Sequence, residues 1–196
     1  MVIHCLRHGI TEGNLLGCFN GSNDDRLTER QRVAFLAVQF NSTRYQAIYC
    51  SPLRRAIETA ECLRIPDWIS EPRIAERNLG IFEGLTASDC RARFAEEFSR
   101  FQAFDADFAI PKGESRAQNL GRVLSWVEEV SGFDTVLAIT HGGTIDFLYR
   151  IGTGLPLHGG DKIYSGSNAA ISSFEVSWPK IHLVNYDVSL NATGDT

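Results

Sequence analysis

Val2-Ile3-His4-Cys5-Leu6 followed at once by Arg7-His8-Gly9 is a short, apolar, β-prone run that turns abruptly polar. It reads as a buried strand ending at a loop, so the Arg-His-Gly triplet sits at the strand's carboxyl end. In open α/β sheets that edge is where ligands bind, because loops and helix N-termini gather there. The pattern recurs far downstream. Val136-Leu137-Ala138-Ile139, flanked by Thr135 and Thr140, gives the near-continuous apolar run of a buried parallel strand, and His141-Gly142-Gly143 follows directly.

Between these two strands the chain alternates strand and helix signals. Residues 17–25 are rich in Gly, Asn and Asp and read as a loop, after which Thr28 is the expected cap of a helix carrying Val33, Leu36, Ala37 and Phe40 on one face. Residues 46–50 are a second strand, and Ser51-Pro52 is expected to start a helix with Pro in its first turn and Arg54 and Arg55 close behind. Residues 69–74 are a weaker strand candidate. Phe94, Phe98, Phe101, Phe104 and Phe108 recur at helical spacing, which predicts one packed helix or a lid with its aromatics on one side. A helix is expected over residues 114–130, opened by Gly113-Glu114-Ser115 as a capping signal, and a late edge hairpin over 169–176 and 180–187. Residues 191–196 read as a loose tail.

The 196 residues, 43% hydrophobic and 22% charged, suit one soluble globular domain spanning 1–196. The formal net charge of -5 excludes a broad nucleic-acid surface, so any anion site has to be a focused one. Cys5, Cys18, Cys50, Cys62 and Cys90 are odd in number and form no CxxC pair, which suits free thiols in a reducing compartment. The first apolar run is too short for a signal segment or a membrane span, so a cytoplasmic location and no membrane partner are expected.

Four separated segments each place a phosphate-competent or proton-transferring group at the end or start of a regular element: Arg7-His8, Arg55, Glu76 and His141. Arginine offers a planar fork of donors matched to phosphate oxygens; histidine serves as nucleophile or cationic donor. Each group also has an ordinary reading. Arg55 suits a helix surface, Glu76 a pair with Arg73 or Arg77, and His141 a buried structural role.

The strings Leu6-Arg7-His8-Gly9-Ile10-Thr11-Glu12-Gly13-Asn14, Ser51-Pro52-Leu53-Arg54-Arg55-Ala56-Ile57-Glu58-Thr59-Ala60, Glu76-Arg77-Asn78-Leu79-Gly80-Ile81-Phe82-Glu83-Gly84-Leu85 and Ile139-Thr140-His141-Gly142-Gly143 occur in that order. Together they resemble the histidine phosphatase superfamily, which includes the cofactor-dependent phosphoglycerate mutases. The resemblance implies an α/β three-layer sandwich, its mostly parallel central sheet flanked by helices, with a small helical cap at about residues 84–113. It implies that His8 becomes phosphohistidine, that Arg7, Arg55 and His141 hold the transferring oxygens, and that Asn14 binds phosphate. Thr11, Gly21 and Gly142 are expected to add phosphate or substrate contacts, and Arg26 either recognises an anionic part of the substrate or is a solvated surface charge. Glu76 is implied as the acid for the leaving oxygen and the base for water, with Glu83 as the competing carboxylate.

No cofactor is implied, and the expected partner is a small phosphorylated substrate, acted on by a monomer or homodimer. The sequence departs from the family pattern at Ile10, Arg26 and Gln31, none of which removes a catalytic group. Phosphatase is favoured over mutase because only 65 residues (141 minus 76) separate Glu76 from His141, too few for the longer covering insertion of the mutases. A metal enzyme using His8, His141 and Glu76 as ligands is disfavoured, since HExxH and clustered Asp and His are absent and arginines beside a cation are unfavourable. A non-catalytic phosphate-binding module is the third reading.

Overall fold

A computed structural model describes residues 1–157 and 166–190. Six strands form one sheet: β1 (Val2–Arg7), β2 (Ala47–Cys50), β3 (Ile69–Ser70), β4 (Thr135–Thr140), β5 (Ala170–Ser177) and β6 (Lys180–Ser189). Their spatial order is β3-β2-β4-β1-β5-β6. The first four are parallel, and β5 and β6 run antiparallel along one edge. Helices α1 (Glu12–Leu15), α2 (Glu29–Leu36), α3 (Arg54–Cys62), α4 (Ala87–Arg93), α5 (Ala95–Gln102), α6 (Arg116–Val130) and α7 (Gly142–Thr153) complete the described chain.

The three layers follow from the two-residue period of the central strands. On β4, Val136 and Ala138 face one side and pack with Ile3 and Cys5 of β1 against Val123, Trp126, Val127 and Val130 of α6. Leu137 and Ile139 face the other side, joining Leu6, Ile48 and Cys50 against Phe35 of α2 and Ala56 and Ala60 of α3. A third apolar cluster, Phe82, Cys90, Phe98, Phe108 and Ile110, binds α4 and α5 together as a cap. All five cysteines are free. Among the described residues no helix is long and apolar enough to cross a membrane.

Several local expectations need correction. The face of α2 is not Val33 and Leu36, which are 58% and 51% exposed; Phe35 is buried instead, because its ring packs onto Gly9. Ala37 and Phe40 lie past the helix end. The phenylalanine stripe is not one helix. It breaks at Phe94, whose non-helical backbone (φ -141°, ψ 53°) separates α4 from α5, and ends before Phe104, which has positive φ. Asp105 then accepts from the amides of Asp107 and Phe108, a local arrangement that competes with helical bonding. Past Ser70 the strand candidate gives way to a 3₁₀ turn, Pro72–Ile74, capped by the Glu71 carboxylate. Pro52 precedes α3 rather than lying in its first turn. Thr28 and Ser115 do cap their helices, accepting from the amides of Gln31 and Gln118. The expected tail at 191–196 lies outside the described residues.

Candidate active site

Strand register brings the two histidines together. Arg7 of β1 pairs with Thr140 of β4, so the residues that follow, His8 and His141, leave the sheet side by side with ring centroids 5.1 Å apart. Backbone bonds extend the pairing past the strand ends: His8 N donates to Thr140 O at 3.0 Å, and Ser51 N donates to Ile139 O at 3.0 Å. Arg55, in the first turn of α3, arrives from the next strand along.

The hydrogen bonds of His8 fix its tautomer. Nδ1 faces the Gly9 carbonyl at 2.7 Å, an acceptor only, so Nδ1 carries the proton. Nε2 accepts from Arg55 Nε, a donor only, at 3.2 Å. His8 is therefore a neutral imidazole with its Nε2 lone pair turned toward the arginine. Burial, then the charges of Arg55 and Arg7, hold its pKa well below 6.5, against a smaller pull from the Gly9 bond. His141 is held well below 6.5 in the same way, by burial first and then by Arg55.

Ser51 Oγ lies 2.6 Å from His141 Nε2 and accepts from Leu53 N at 3.3 Å. Its hydroxyl is free to donate to Nε2, an arrangement that pairs with a proton on Nδ1 of His141. That Nδ1 is buried with no partner among the described residues, and so is Arg7 Nε. Arg7 NH1 donates to Gly166 O.

Arg55 also anchors the loop after α1, donating NH1 to Asn23 O at 2.9 Å and NH2 to Gly21 O at 2.6 Å. Glu83 holds the same loop from the other side. Its carboxylate accepts from Ser22 N at 2.6 Å, Ser22 Oγ at 2.8 Å and Leu79 N at 3.0 Å. Glu83 is thus committed to the loop rather than presented as a free acid.

Among the described residues no side-chain cation bonds to Glu76: Arg73 is engaged by Glu71 at 2.6 Å and Glu129 at 2.7 Å, and the Arg77 side chain turns elsewhere. The Glu76 carboxylate accepts from its neighbour Arg77 N at 2.9 Å and from Gly143 N, in the first turn of α7, at 3.1 Å. Glycine at 143 leaves room for this carboxylate, since a Cβ there would lie 2.2 Å from Glu76 Oε1 and push it aside. The backbone leading into Glu76 is clamped by Arg122 of α6. Its guanidinium donates to Arg73 O and Ala75 O at 2.7 Å and to Glu76 O at 3.2 Å, and is held by both oxygens of Glu114 at 3.0 Å.

These groups open into a cavity of about 610 Å³ lined by Arg7, His8, Asn14, Gly21, Arg55, Glu76 and Gly142 at one end, with Phe19, Phe98, Phe101, Phe104, Arg77 and Arg116 beyond. His141 lies buried behind His8. Asn14 accepts from Thr11 N at 3.2 Å and from Asn168 Nδ2 at 3.3 Å. Two expected contacts lie elsewhere: Thr11 is fully buried as the cap of α1, and Arg26 is exposed on the surface, so neither lines this cavity. Sequence reasoning missed Ser51, Asn168, Arg77, Arg116 and Asp146. Ser51 carried a signal as the first residue of a motif string, and Arg77 and Arg116 as charges next to Glu76 and to the cap Ser115. Among the described residues no group of three or more His, Cys, Asp or Glu side chains is placed to hold a metal.

A mixed α/β sheet with a buried imidazole, flanking guanidinium groups and a carboxylate at its strand ends defines a phosphoryl-handling enzyme. The chain belongs to the histidine phosphatase superfamily, branch 1, whose model matches residues 3–189. It is 30% identical over 155 residues to a metal-independent phosphoserine phosphatase of Arabidopsis thaliana, covering 74% of this chain and 65% of that one. It is 31% identical over 164 residues to a 2,3-bisphosphoglycerate-dependent phosphoglycerate mutase of a Methylobacterium strain, covering 76% and 79%. Among solved structures, a mycobacterial glucosyl-3-phosphoglycerate phosphatase in complex with VO3 superposes with a TM-score of 0.78 at 26% identity, over 96% of this chain and 99% of that one. The chain is accordingly a metal-independent phosphoric monoester hydrolase.

Proposed function

We propose that His8 Nε2 attacks the phosphorus of a small phosphate monoester, forming a phosphohistidine that water then hydrolyses. The observation that carries this reading is two buried nitrogens without a partner among the described residues, the Arg7 Nε donor and His141 Nδ1, beside a neutral histidine. Leaving a buried donor unmade costs about 1–3 kcal/mol, so such groups call for an acceptor that arrives with the ligand. Phosphoryl oxygens are the acceptors of matching charge and number.

Phosphoryl transfer passes through a loose transition state with charge spread over three equatorial oxygens, so catalysis rests on placement and charge stabilisation. Arg7, Arg55 and His141 supply those donors, and Asn14 and the start of α7 at Gly142 line the same end. Arg55 Nε exchanges its bond to His8 for one to the incoming phosphate, releasing the lone pair for attack. Glu76 gives its proton to the leaving oxygen and takes one from the water that cleaves the phosphoenzyme. Water is the acceptor because the cap between Glu76 and His141 is short. The mutase relatives keep transfer to a second hydroxyl as the alternative outcome.

The test is hydrolysis of an aryl phosphate with EDTA present. The proposal requires full activity in the chelator and inhibition by vanadate. Activity lost to EDTA and restored by a divalent ion contradicts it. A mutase shows itself as 2,3-bisphosphoglycerate-primed isomerisation faster than hydrolysis.

A further inference from the structure

The cavity is far larger than a phosphate needs, and its lining includes two cations, Arg77 and Arg116, that phosphate binding does not use. Arg77 is 6% exposed, yet its guanidinium donates only to carbonyl oxygens, Glu114 O at 2.9 Å and Phe108 O at 3.4 Å. Among the described residues no carboxylate lies within ion-pair distance of it. Arg116 donates NH2 to Asp146 at 3.1 Å, and its Nε is buried without an acceptor among the described residues. Asp146 also accepts from Arg150 Nε at 3.0 Å, so its single charge is shared.

Arg116 is fixed rather than free to swing away: its guanidinium carbon stands 4.9 Å from the Phe104 ring centroid and 4.8 Å from that of Phe147. Both arginines line the same cavity as His8, together with Phe98, Phe101 and Gln102. Burial first, and then the neighbouring charge of Arg116, pushes the pKa of Arg77 down to about 10. Two desolvated cations that repel each other are relieved by an anion between them. Glu76 lines the same cavity and is within electrostatic reach of Arg55 and also of Arg77 and Arg116.

Building on the proposed phosphatase reading, we infer that Arg77 and Arg116 form a second anion subsite that selects phosphate monoesters whose alcohol carries a carboxylate. The phosphate goes to His8, Arg7 and Arg55; the bridging oxygen meets Glu76; the carboxylate of the departing alcohol meets the outer arginines. The phenylalanine wall of the cap shields this contact from water and strengthens it. Arg77 holds backbone carbonyls as well, so Arg116 is the residue to change.

The experiment compares kcat/KM for ester pairs that differ by one carboxylate: O-phosphoserine against O-phosphoethanolamine, and 3-phosphoglycerate against glycerol 3-phosphate. A charge-assisted bond of the usual strength gives the carboxylated member an advantage of about tenfold or more. Arg116→Gln should bring that ratio close to one, and Arg116→Lys should retain part of it, in protein whose melting temperature shows it folded. Turnover without preference in the wild type, or a preference untouched by Arg116→Gln, overturns the subsite while leaving the phosphatase reading standing. If no ester is turned over, calorimetry on the same pairs decides. Tighter binding of the carboxylated member that is lost in Arg116→Gln upholds the subsite and removes only the phosphatase reading; equal binding overturns the subsite.

Discussion

Arg55 Nε donates to His8 Nε2 at 3.2 Å, so the atom proposed as nucleophile is capped by the cation proposed to hold its target. The contact keeps the imidazole neutral and aimed, and an anion of higher charge than the ring displaces it readily.

Arg55→Lys keeps one positive charge but loses the fork that reaches His8, Asn23 and Gly21 together. Removing a preorganised donor of this kind lowers kcat by about 10²–10³-fold. Steady-state kinetics on an aryl phosphate should show that loss, with vanadate inhibition weakened in parallel. A variant within a factor of about two of wild type argues against Arg55 as a transition-state ligand.

Glu76 is proposed to protonate the leaving oxygen, so its importance scales with the basicity of that oxygen. Glu76→Gln should slow alkyl phosphates by more than it slows p-nitrophenyl phosphate. Arg122→Met loosens the clamp on the carbonyls of Arg73, Ala75 and Glu76, and should move the leaving-group dependence in the same direction by less. Equal slowing of both esters in either variant counts against the assignment it tests.

Acid should destabilise the fold from the histidines first. His8 and His141 stay neutral when folded, their pKa values depressed by burial and then by Arg55, whereas in the unfolded chain they titrate near 6.5. Below about pH 6.5 the unfolded chain binds more protons, so unfolding free energy falls as pH falls, by up to roughly 1.4 kcal/mol per pH unit for each histidine. Above that pH their contribution is constant. Urea titrations should show a plateau near neutrality and a decline already under way at about pH 5.5, before the carboxylates titrate. His141→Asn should shallow that decline; a curve that stays flat to about pH 5 contradicts the depressed values.

Gly21→Ala tests the loop that Arg55 and Glu83 share. Residue 21 has φ of 50°, and a Cβ there would lie 2.2 Å from Glu83 Oε1. Left-handed strain in a residue with a side chain costs on the order of 1–3 kcal/mol, to which displacement of Glu83 is added. A lower urea midpoint with reduced kcat/KM is expected, because Gly21 O is an acceptor for Arg55.

The chemistry was legible in the sequence where it lies at strand ends. His8 and His141 each follow a strongly apolar run, and the near-continuous apolarity of those runs signals both burial and the edge at which the chain turns polar. Capping residues Thr28 and Ser115 were legible too, since their signals are local. What stayed hidden depends on long-range packing. Phe35 outcompetes Val33 and Leu36 for the core only because Gly9 leaves room for a ring, a contact between segments 26 residues apart (35 minus 9). The phenylalanine spacing fits a helix, but the backbone breaks at Phe94 and again before Asp105, whose side chain bonds the next amides. Arg26 and Thr11 looked like site residues from their neighbours in sequence, whereas Arg116 and Asp146 reach the cavity from two helices that no motif links.

The central claim is covalent attachment at one atom, and acid- or alkali-quenched turnover with a phosphoryl-labelled monoester followed by peptide mapping tests it most directly. Label that survives alkali, is released by acid and maps to the peptide bearing His8, and that is missing from His8→Ala, is the outcome the account predicts. Label on another residue, or undiminished turnover in His8→Ala with no labelled chain, would contradict it.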